Sequence, residues 1–216
     1  MTTLAREAQP VSGVFAEALR GAPCDVVWDD GTRAALPVAA WVQVADDTDR
    51  SMLAACAGPT IDIGCGPGRM SAQLMLDGHV TLGIDVVPEA ITQTRARGAN
   101  ALRRDVFARV PGEGRWQTAL LADGNIGIGG DPVRLLERAR DLLCPTGVVV
   151  VELAAYGEGL RRSTVALRVG DRVSDAFPWA LVGADAIAAV AARAGLTVVS
   201  THERGGRWWS ILQRGD

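Results

Sequence analysis

The stretch Thr60–Met70, TIDIGCGPGRM, places Gly64, Gly66 and Gly68 at alternate positions between an alternating apolar run and a helix-like segment. A strand that passes through a glycine-rich turn into a helix brings backbone N–H groups and the positive end of the helix together. Because glycine has no side chain, a ligand can approach the backbone closely there. The stretch therefore predicts a site for a nucleotide-like ligand, with a tight turn that binds nothing as the alternative.

The glycine spacing separates the kinds of nucleotide loop. The dinucleotide fingerprint is GxGxxG, whereas this loop reads GxGxG and has Arg69 where the third glycine would stand. A P-loop requires a lysine, and the chain contains none. Asp62, two residues before the first glycine, would repel a pyrophosphate and attract an ammonium group. These features favour a ligand that carries a positive group.

Strands and helices alternate from Thr60 onward, which is typical of a mainly parallel sheet with helices on both faces. The last two predicted strands, 196–204 and 207–214, are separated only by a turn at Gly205–Gly206, so they must be antiparallel. We therefore expect an α/β fold whose parallel sheet ends in an antiparallel C-terminal hairpin.

Two segments fall outside this alternation. A helix after Pro10, a hairpin turning at Asp30–Gly31 and a further helix predict an N-terminal extension at 1–58, as a lid or on the substrate side. The main domain is expected at 59–216, with a hairpin insertion at about 160–182. Both segments are candidates for covering a site at the sheet edge.

Composition narrows the classes of function. The chain has 216 residues, of which 48% are hydrophobic, and it lacks both a long apolar run and the layout of a signal peptide, so we expect a cytoplasmic protein. A net charge of -3 argues against nucleic-acid and membrane partners. The four cysteines are scattered and predict no metal site. A small-molecule substrate fits best, and a homodimer is left open.

The sequence DIGCGPG, Asp62–Gly68, resembles the first motif of the class I S-adenosylmethionine-dependent methyltransferases, which is an acidic residue, one further residue and GxGxG. The resemblance covers about residues 59–213. It implies a Rossmann-like, mainly parallel seven-stranded sheet closed by the antiparallel hairpin. It also implies S-adenosylmethionine (S-adenosyl-L-methionine) as the cofactor and S-adenosyl-L-homocysteine as the product.

The resemblance also implies a role for each motif residue. Asp62 would lie near the ammonium group of the cofactor, Asp85 would accept hydrogen bonds from the ribose hydroxyls, and Asp105 would read the adenine amino group. The expected cofactor-binding residues are Asp62, Gly64, Cys65, Gly66, Gly68, Asp85, Val86, Asp105, Val106, Asp123 and Gly124.

Methyl transfer from a sulfonium is an in-line displacement in which the protein chiefly positions the reactants and excludes water. A base is needed only for acceptors such as a hydroxyl, a protonated amine or a carbon acid. The catalytic candidates are His202, Tyr156 and Asn125. Trp41, Trp179, Asn125 and Tyr156 are the candidates for substrate contact.

The resemblance therefore implies a methyltransferase, which we expect to act on an O, N or C nucleophile of a small molecule. Two alternatives keep the cofactor: a regulatory protein that binds it without turnover, and an enzyme that transfers another group or catalyses a cyclisation. A nicotinamide-dependent dehydrogenase is disfavoured by the glycine spacing.

Overall fold

A computed structural model describes residues 9–215, which form one α/β unit with two sheets. The helices are α1 (Val11–Leu19), α2 (Val38–Trp41), α3 (Asp47–Leu53), α4 (Arg69–Leu76), α5 (Pro88–Ala96), α6 (Pro132–Leu142) and α7 (Ile187–Arg193). The strands are β1 (Cys24–Trp28), β2 (Arg33–Ala35), β3 (Thr60–Ile63), β4 (Thr81–Asp85), β5 (Ala101–Arg103), β6 (Trp116–Leu121), β7 (Leu143–Leu153), β8 (Leu160–Val169), β9 (Arg172–Val173), β10 (Phe177–Val182), β11 (Leu196–Arg204) and β12 (Arg207–Arg214).

The larger sheet has seven strands in the order β11-β12-β7-β6-β3-β4-β5. Strands β3 to β7 pair in parallel, and β12 is antiparallel to both of its neighbours. The prediction of a mainly parallel sheet with an antiparallel C-terminal hairpin is confirmed. The chain runs from β3 outward to β4 and β5 and then crosses to β6 on the other side, which creates a crevice at the carboxyl ends of β3 and β6.

The central strands of this sheet are buried on both faces, whereas the edge strand β11 is mostly exposed. Along β6, Ala119 and Leu121 belong to the cluster packed against α6 and α7, while Leu120 belongs to the cluster with α3 and α4. Helix boundaries follow local chemistry: Pro132 begins α6, and the Asp131 carboxylate accepts the first free backbone N–H groups. Local sequence thus places the helices, and two-sided burial holds them against the sheet.

A second, antiparallel sheet is formed by β10-β8-β1-β2, with β9 paired to β8. It joins the hairpin of the N-terminal segment to the segment at 160–182, through pairs such as Cys24↔Val169. Helix α1 packs between this sheet and α5, where Leu19 and Ala90 share one apolar cluster. The two segments that interrupt the alternating pattern therefore form a single structure.

Within residues 9–215, no helix has both the length and the apolar character needed to cross a membrane. Residues 1–8, on which the expectation about a signal peptide chiefly rests, lie outside the described part of the chain.

Two glycines that flank α4 test the role of close packing at the glycine loop. Gly68 and Gly78 have similar φ values, +86° and +88°, but a Cβ at Gly68 would lie 2.7 Å from the Cα of Thr94, whereas one at Gly78 meets open space. We expect Gly78→Ala to lower the free energy of unfolding by about 1–2 kcal/mol, the cost of the left-handed backbone. We expect Gly68→Ala to cost about 1–3 kcal/mol more, because α4 and α5 must separate. Urea denaturation checks both values, and equal costs would contradict the packing argument.

Candidate active site

A cavity of about 390 Å³ opens at the carboxyl ends of β3, β4, β5 and β6. Loops that follow these strands line one side, and α1, α2 and the second sheet line the other. Its volume falls within the range of about 300–1,000 Å³ that is usual for small-molecule sites. The crevice expected from the strand order is therefore a covered pocket.

The glycine loop is shaped by left-handed backbone and by one amide side chain. Gly64, Gly66 and Gly68 have φ values of 74°, 53° and 86°. The Nδ2 group of Asn125 donates to the carbonyl oxygens of Ile63 and Gly64, at 3.0 and 2.8 Å. Asn125 lines the cavity, but its amide N–H groups are used to hold the loop.

Asp85 connects the end of β4 to the same loop. One carboxylate oxygen accepts from the backbone N–H of Gly66 at 3.1 Å, and the other accepts from that of Val87 at 2.8 Å. Burial raises the pKa of this carboxyl group, and these two hydrogen bonds partly offset the effect. The side chain lines the cavity and is positioned before any ligand binds.

Asp62 is almost fully buried beneath the loop. Its carboxylate accepts a hydrogen bond of 2.6 Å from the hydroxyl group of Ser71. Burial is the main reason that its pKa is raised to about 7, and the negative charges of Asp123 and Asp85 add to the effect. A positive group placed beside Asp62 would favour its ionised form.

Most residues predicted to bind the cofactor line this one cavity. They are Asp62, Gly64, Cys65, Gly66, Asp85, Val86, Asp105, Val106 and Asp123. Gly68 and Gly124 are not in the lining; Gly68 precedes the first residue of α4, and Gly124 has φ 79° before the 3-10 turn Asn125–Gly127.

A buried ionic network lies next to the cavity. The guanidinium of Arg69 binds Asp49 and donates to both oxygens of Asp123, at 2.7 and 2.8 Å. Arg207 donates to Asp49 at 2.6 Å and to both oxygens of Glu152, at 2.7 and 2.9 Å. Two guanidinium groups thus neutralise most of the charge of three carboxylates.

The substrate-contact predictions divide into two groups. Trp41 and Trp179 line the cavity, and their contact with a substrate stays a prediction. Tyr156 does not, because it lies after β7 with 71% of its surface exposed and its ring against Trp208, at 6.3 Å between centroids. Sequence position alone placed Tyr156 near the acceptor, but its side chain faces solvent.

His202 is also outside the cavity. It lies on β11, the edge strand of the larger sheet, where it is exposed and stacks on Trp209. Its Nε2 atom is 2.8 Å from the hydroxyl oxygen of Ser200. Because β12 and β7 separate β11 from the crevice, the predicted catalytic role of His202 is not supported by its position.

Sequence reasoning missed two sets of residues. The first is the ion pairing of Asp49, Arg69 and Arg207, for which only the position of Arg69 directly after the glycine loop was a local signal. The second is most of the apolar wall, a name used here for the apolar side chains that line the cavity from α1, the β2–α2 segment and the second sheet; of its members, only Trp41 and Trp179 were predicted. The apolar wall consists of Val11, Phe15, Leu36, Trp41, Leu167, Phe177, Pro178 and Trp179.

The apolar wall is fixed to the loop that follows β6. Ile128 and Trp179 form an isolated antiparallel bridge. A Cβ at Gly127 would lie 2.5 Å from the Nε1 atom of Trp179, so only glycine permits the indole to lie this close. The position of Trp179 therefore depends on the loop that also carries Asn125.

No protein-family model matches this chain, and no curated protein sequence does. Solved structures, in contrast, do match this chain. A SAM-dependent methyltransferase from Bacteroides fragilis, in complex with S-adenosyl-L-homocysteine, matches with a TM-score of 0.78 and 19% identity, over 100% of this chain and 98% of that chain.

Two further methyltransferases match less closely. The 1,6-didemethyltoxoflavin-N1-methyltransferase of Burkholderia thailandensis has a TM-score of 0.61 and 17% identity, over 99% of this chain and 94% of that chain. The CcbJ methyltransferase of Streptomyces caelestis has a TM-score of 0.61 and 16% identity, over 82% of this chain and 92% of that chain. The chain has the fold of the SAM-dependent methyltransferases, as the resemblance of DIGCGPG implied.

The ionic network predicts a large difference between two acids on α3. The Asp49 side chain is 0% exposed and pairs with two arginines, whereas that of Asp47 is 82% exposed and 3.6 Å from Arg50. We expect Asp49→Ala to lower the free energy of unfolding by about 3–5 kcal/mol, because it removes the fully buried carboxylate that Arg69 and Arg207 share. We expect Asp47→Ala to change it by less than about 1 kcal/mol. Chemical denaturation measures both, and a small effect at Asp49 would refute the network's structural role.

Proposed function

We propose that this protein is an S-adenosylmethionine-dependent methyltransferase that acts on a small molecule. The observation that carries the proposal is that Asp62, Asp85 and Asp105, which lie at or just beyond the carboxyl ends of three neighbouring parallel strands, line one cavity with the GxGxG loop. The alternative, a tight turn that binds nothing, does not explain why three acidic side chains line one cavity together with the glycine loop.

The residues present fit this cofactor. A Cβ at Gly66 would meet only a carbonyl oxygen at 4.0 Å, so the backbone is open to close approach at this point. Asp62 would hold the ammonium group, and Asp85 would accept hydrogen bonds from the ribose hydroxyls. Val86 and Val106 offer apolar contacts for the adenine ring, beside Asp105. Bound there, the cofactor supplies an electrophilic methyl group on a positively charged sulfur.

The chain's contribution to the reaction is positioning and the exclusion of water. Asn125 holds the loop, Arg69 holds Asp123 in the cavity wall, and the second sheet covers the opening. His202 and Tyr156 have no role in this proposal. The acceptor atom is left as oxygen, nitrogen or carbon at this stage.

The similar structures support the proposal through their names. Each is called a methyltransferase, and the Burkholderia protein was crystallised with the small molecule 1,6-didemethyltoxoflavin. We further propose a cytoplasmic location, which is supported by four cysteines that are all free thiols.

Isothermal titration calorimetry with S-adenosyl-L-homocysteine tests the proposal. We expect saturable binding of one molecule per chain. Absence of binding would overturn the proposal, and NADH binding would favour a dehydrogenase. Incubation with a methyl-labelled cofactor, followed by mass spectrometry, then separates methyl transfer from binding without turnover and from transfer of another group.

Replacing Asp85 by asparagine tests the ribose assignment. Asp85→Asn removes the charge that would strengthen hydrogen bonds from two hydroxyls, so we expect S-adenosyl-L-homocysteine to bind about 1.5–3 kcal/mol more weakly in calorimetry. Glu137→Gln, an exposed change on α6 away from the cavity, is the matched control and should bind as the wild type does. Unchanged affinity in Asp85→Asn would refute the assignment.

The raised pKa of Asp62 predicts a pH dependence of cofactor binding. At pH 6 most Asp62 side chains carry a proton, because their pKa is about 7, and the proton must leave before the carboxylate can pair with an ammonium group. Affinity for S-adenosyl-L-homocysteine should therefore rise with pH, by up to about tenfold between about pH 6 and pH 8. Asp85 and Asp123 also have raised pKa values, so Asp62→Asn isolates the contribution of Asp62 by flattening the profile. A wild-type affinity that falls with pH would contradict this account.

A further inference from the structure

The apolar wall contributes two pairs of aromatic rings to the cavity. Phe15 and Trp41 meet edge to face at 6.2 Å between ring centroids, and Phe177 and Trp179 do so at the same distance. The first pair comes from the N-terminal segment and the second from β10. Aromatic side chains in such pairs offer flat, rigid and apolar contact area.

The charged groups of the cavity are confined to its opposite side. Among the residues that the structure describes, the lining carries four carboxylates and two guanidinium groups, and it includes no histidine, tyrosine or glutamate. The carboxylates are Asp62, Asp85, Asp105 and Asp123, here called the acidic wall; the guanidinium groups are those of Arg69 and Arg104. Arg69 is already paired with Asp49 and Asp123. The cavity is therefore net negative.

Each carboxylate of the acidic wall is already engaged. Asp62 accepts from Ser71, and Asp123 accepts from Arg69 on both oxygens. Asp85 accepts hydrogen bonds from the backbone N–H groups of Gly66 and Val87. Asp105 accepts one from the backbone N–H of Phe107, at 2.9 Å. The apolar wall has no group that can take a proton. An acceptor that must lose a proton before it attacks, such as a phenol, would have to pass that proton to one of these engaged carboxylates.

The net negative charge of the cavity further narrows the range of acceptors that could bind there. An anionic acceptor would enter a net negative cavity and lose its hydration against aromatic rings, which is costly. A neutral nitrogen attacks without prior proton loss and gains positive charge as it does so. Both the acidic wall and the faces of Trp41 and Trp179 stabilise positive charge. The cavity therefore matches the charge that develops on nitrogen.

We propose, building on the proposed function, that the acceptor is a flat, neutral aromatic or heteroaromatic molecule that is methylated on nitrogen. The apolar wall holds its rings. The nitrogen lone pair forms the bond to the methyl carbon, the bond from that carbon to the sulfonium sulfur breaks, and the sulfur keeps the electron pair and becomes neutral. The positive charge thus passes to the nitrogen, and any proton on it is then lost to water.

Three probes with one ring skeleton test this proposal: 1-aminonaphthalene, 1-naphthol and 1-naphthoate. Binding to the protein saturated with S-adenosyl-L-homocysteine is measured by calorimetry. We expect the amine to bind at least tenfold more tightly than the carboxylate. With S-adenosylmethionine, mass spectrometry should show N-methylation of the amine at least tenfold faster than O-methylation of the naphthol.

Variants of the apolar wall supply the second readout. Trp41→Ala and Trp179→Ala should each weaken binding of 1-aminonaphthalene by tenfold or more, and Trp41→Phe and Trp179→Phe by less, while affinity for S-adenosyl-L-homocysteine stays within twofold of wild type. Trp28→Ala, in β1 of the same second sheet but outside the cavity, is the matched control and should change neither affinity. An unchanged cofactor affinity also shows that each variant is folded.

The outcomes separate this inference from the function on which it rests. Equal or tighter binding of 1-naphthoate, faster methylation of the naphthol, or no loss of amine binding in the alanine variants overturns the inference while cofactor binding persists. Failure to bind S-adenosyl-L-homocysteine overturns the proposed function instead.

Discussion

Three carboxylates at one edge of the sheet, two of them buried and that of Asp123 half-buried, impose the constraint on which the site depends. Asp49, Asp123 and Glu152 come from α3, from the end of β6 and from β7, and burial of their charges is tolerable only because Arg69 and Arg207 lie between them. Arg69 is the first residue after the glycine loop, so the same ion pairs set where that loop begins its helix. A shift in any one of these segments would leave buried charge unpaired.

The constraint explains an unusual backbone conformation at the cavity. Asp123 is the only residue other than glycine with positive φ in the described range 9–215, at 52°. Its N–H donates to Glu152 at 2.6 Å and its carboxylate binds Arg69, so contacts on both sides hold the strained conformation. This turn directs the chain into the loop of Asn125, which in turn holds the glycine loop. The contacts of Asp123 therefore maintain both the charge pairing and the geometry of the loops at the cavity.

Local sequence predicted most elements of the larger sheet, because strand alternation, caps such as Asp131 and the turn at Gly205–Gly206 act over a few residues. It did not predict that β1 pairs with β8, since a strand pattern shows a strand and not its distant partner. The ion pair between Asp49 and Arg207 could not be predicted for the same reason, because the two residues are far apart in the chain. A residue at a strand end lies near the cavity only if its strand ends there. Asp105 after the edge strand β5 meets this condition, and His202 on the opposite edge strand β11 does not.

The two walls of the cavity have different origins, which determines what a sequence can reveal about each. The acidic wall follows from short loops with a recognisable spacing, so the type of cofactor can be proposed from the motif. The apolar wall is assembled from α1, the β2–α2 segment and the second sheet, and only the fold brings Phe15 and Trp179 to one pocket. The walls are nevertheless coupled, because Gly127, two residues from Asn125, sets how closely Trp179 can approach. A substitution at Gly127 would therefore disturb the apolar wall from the same loop that, through Asn125, holds the glycine loop.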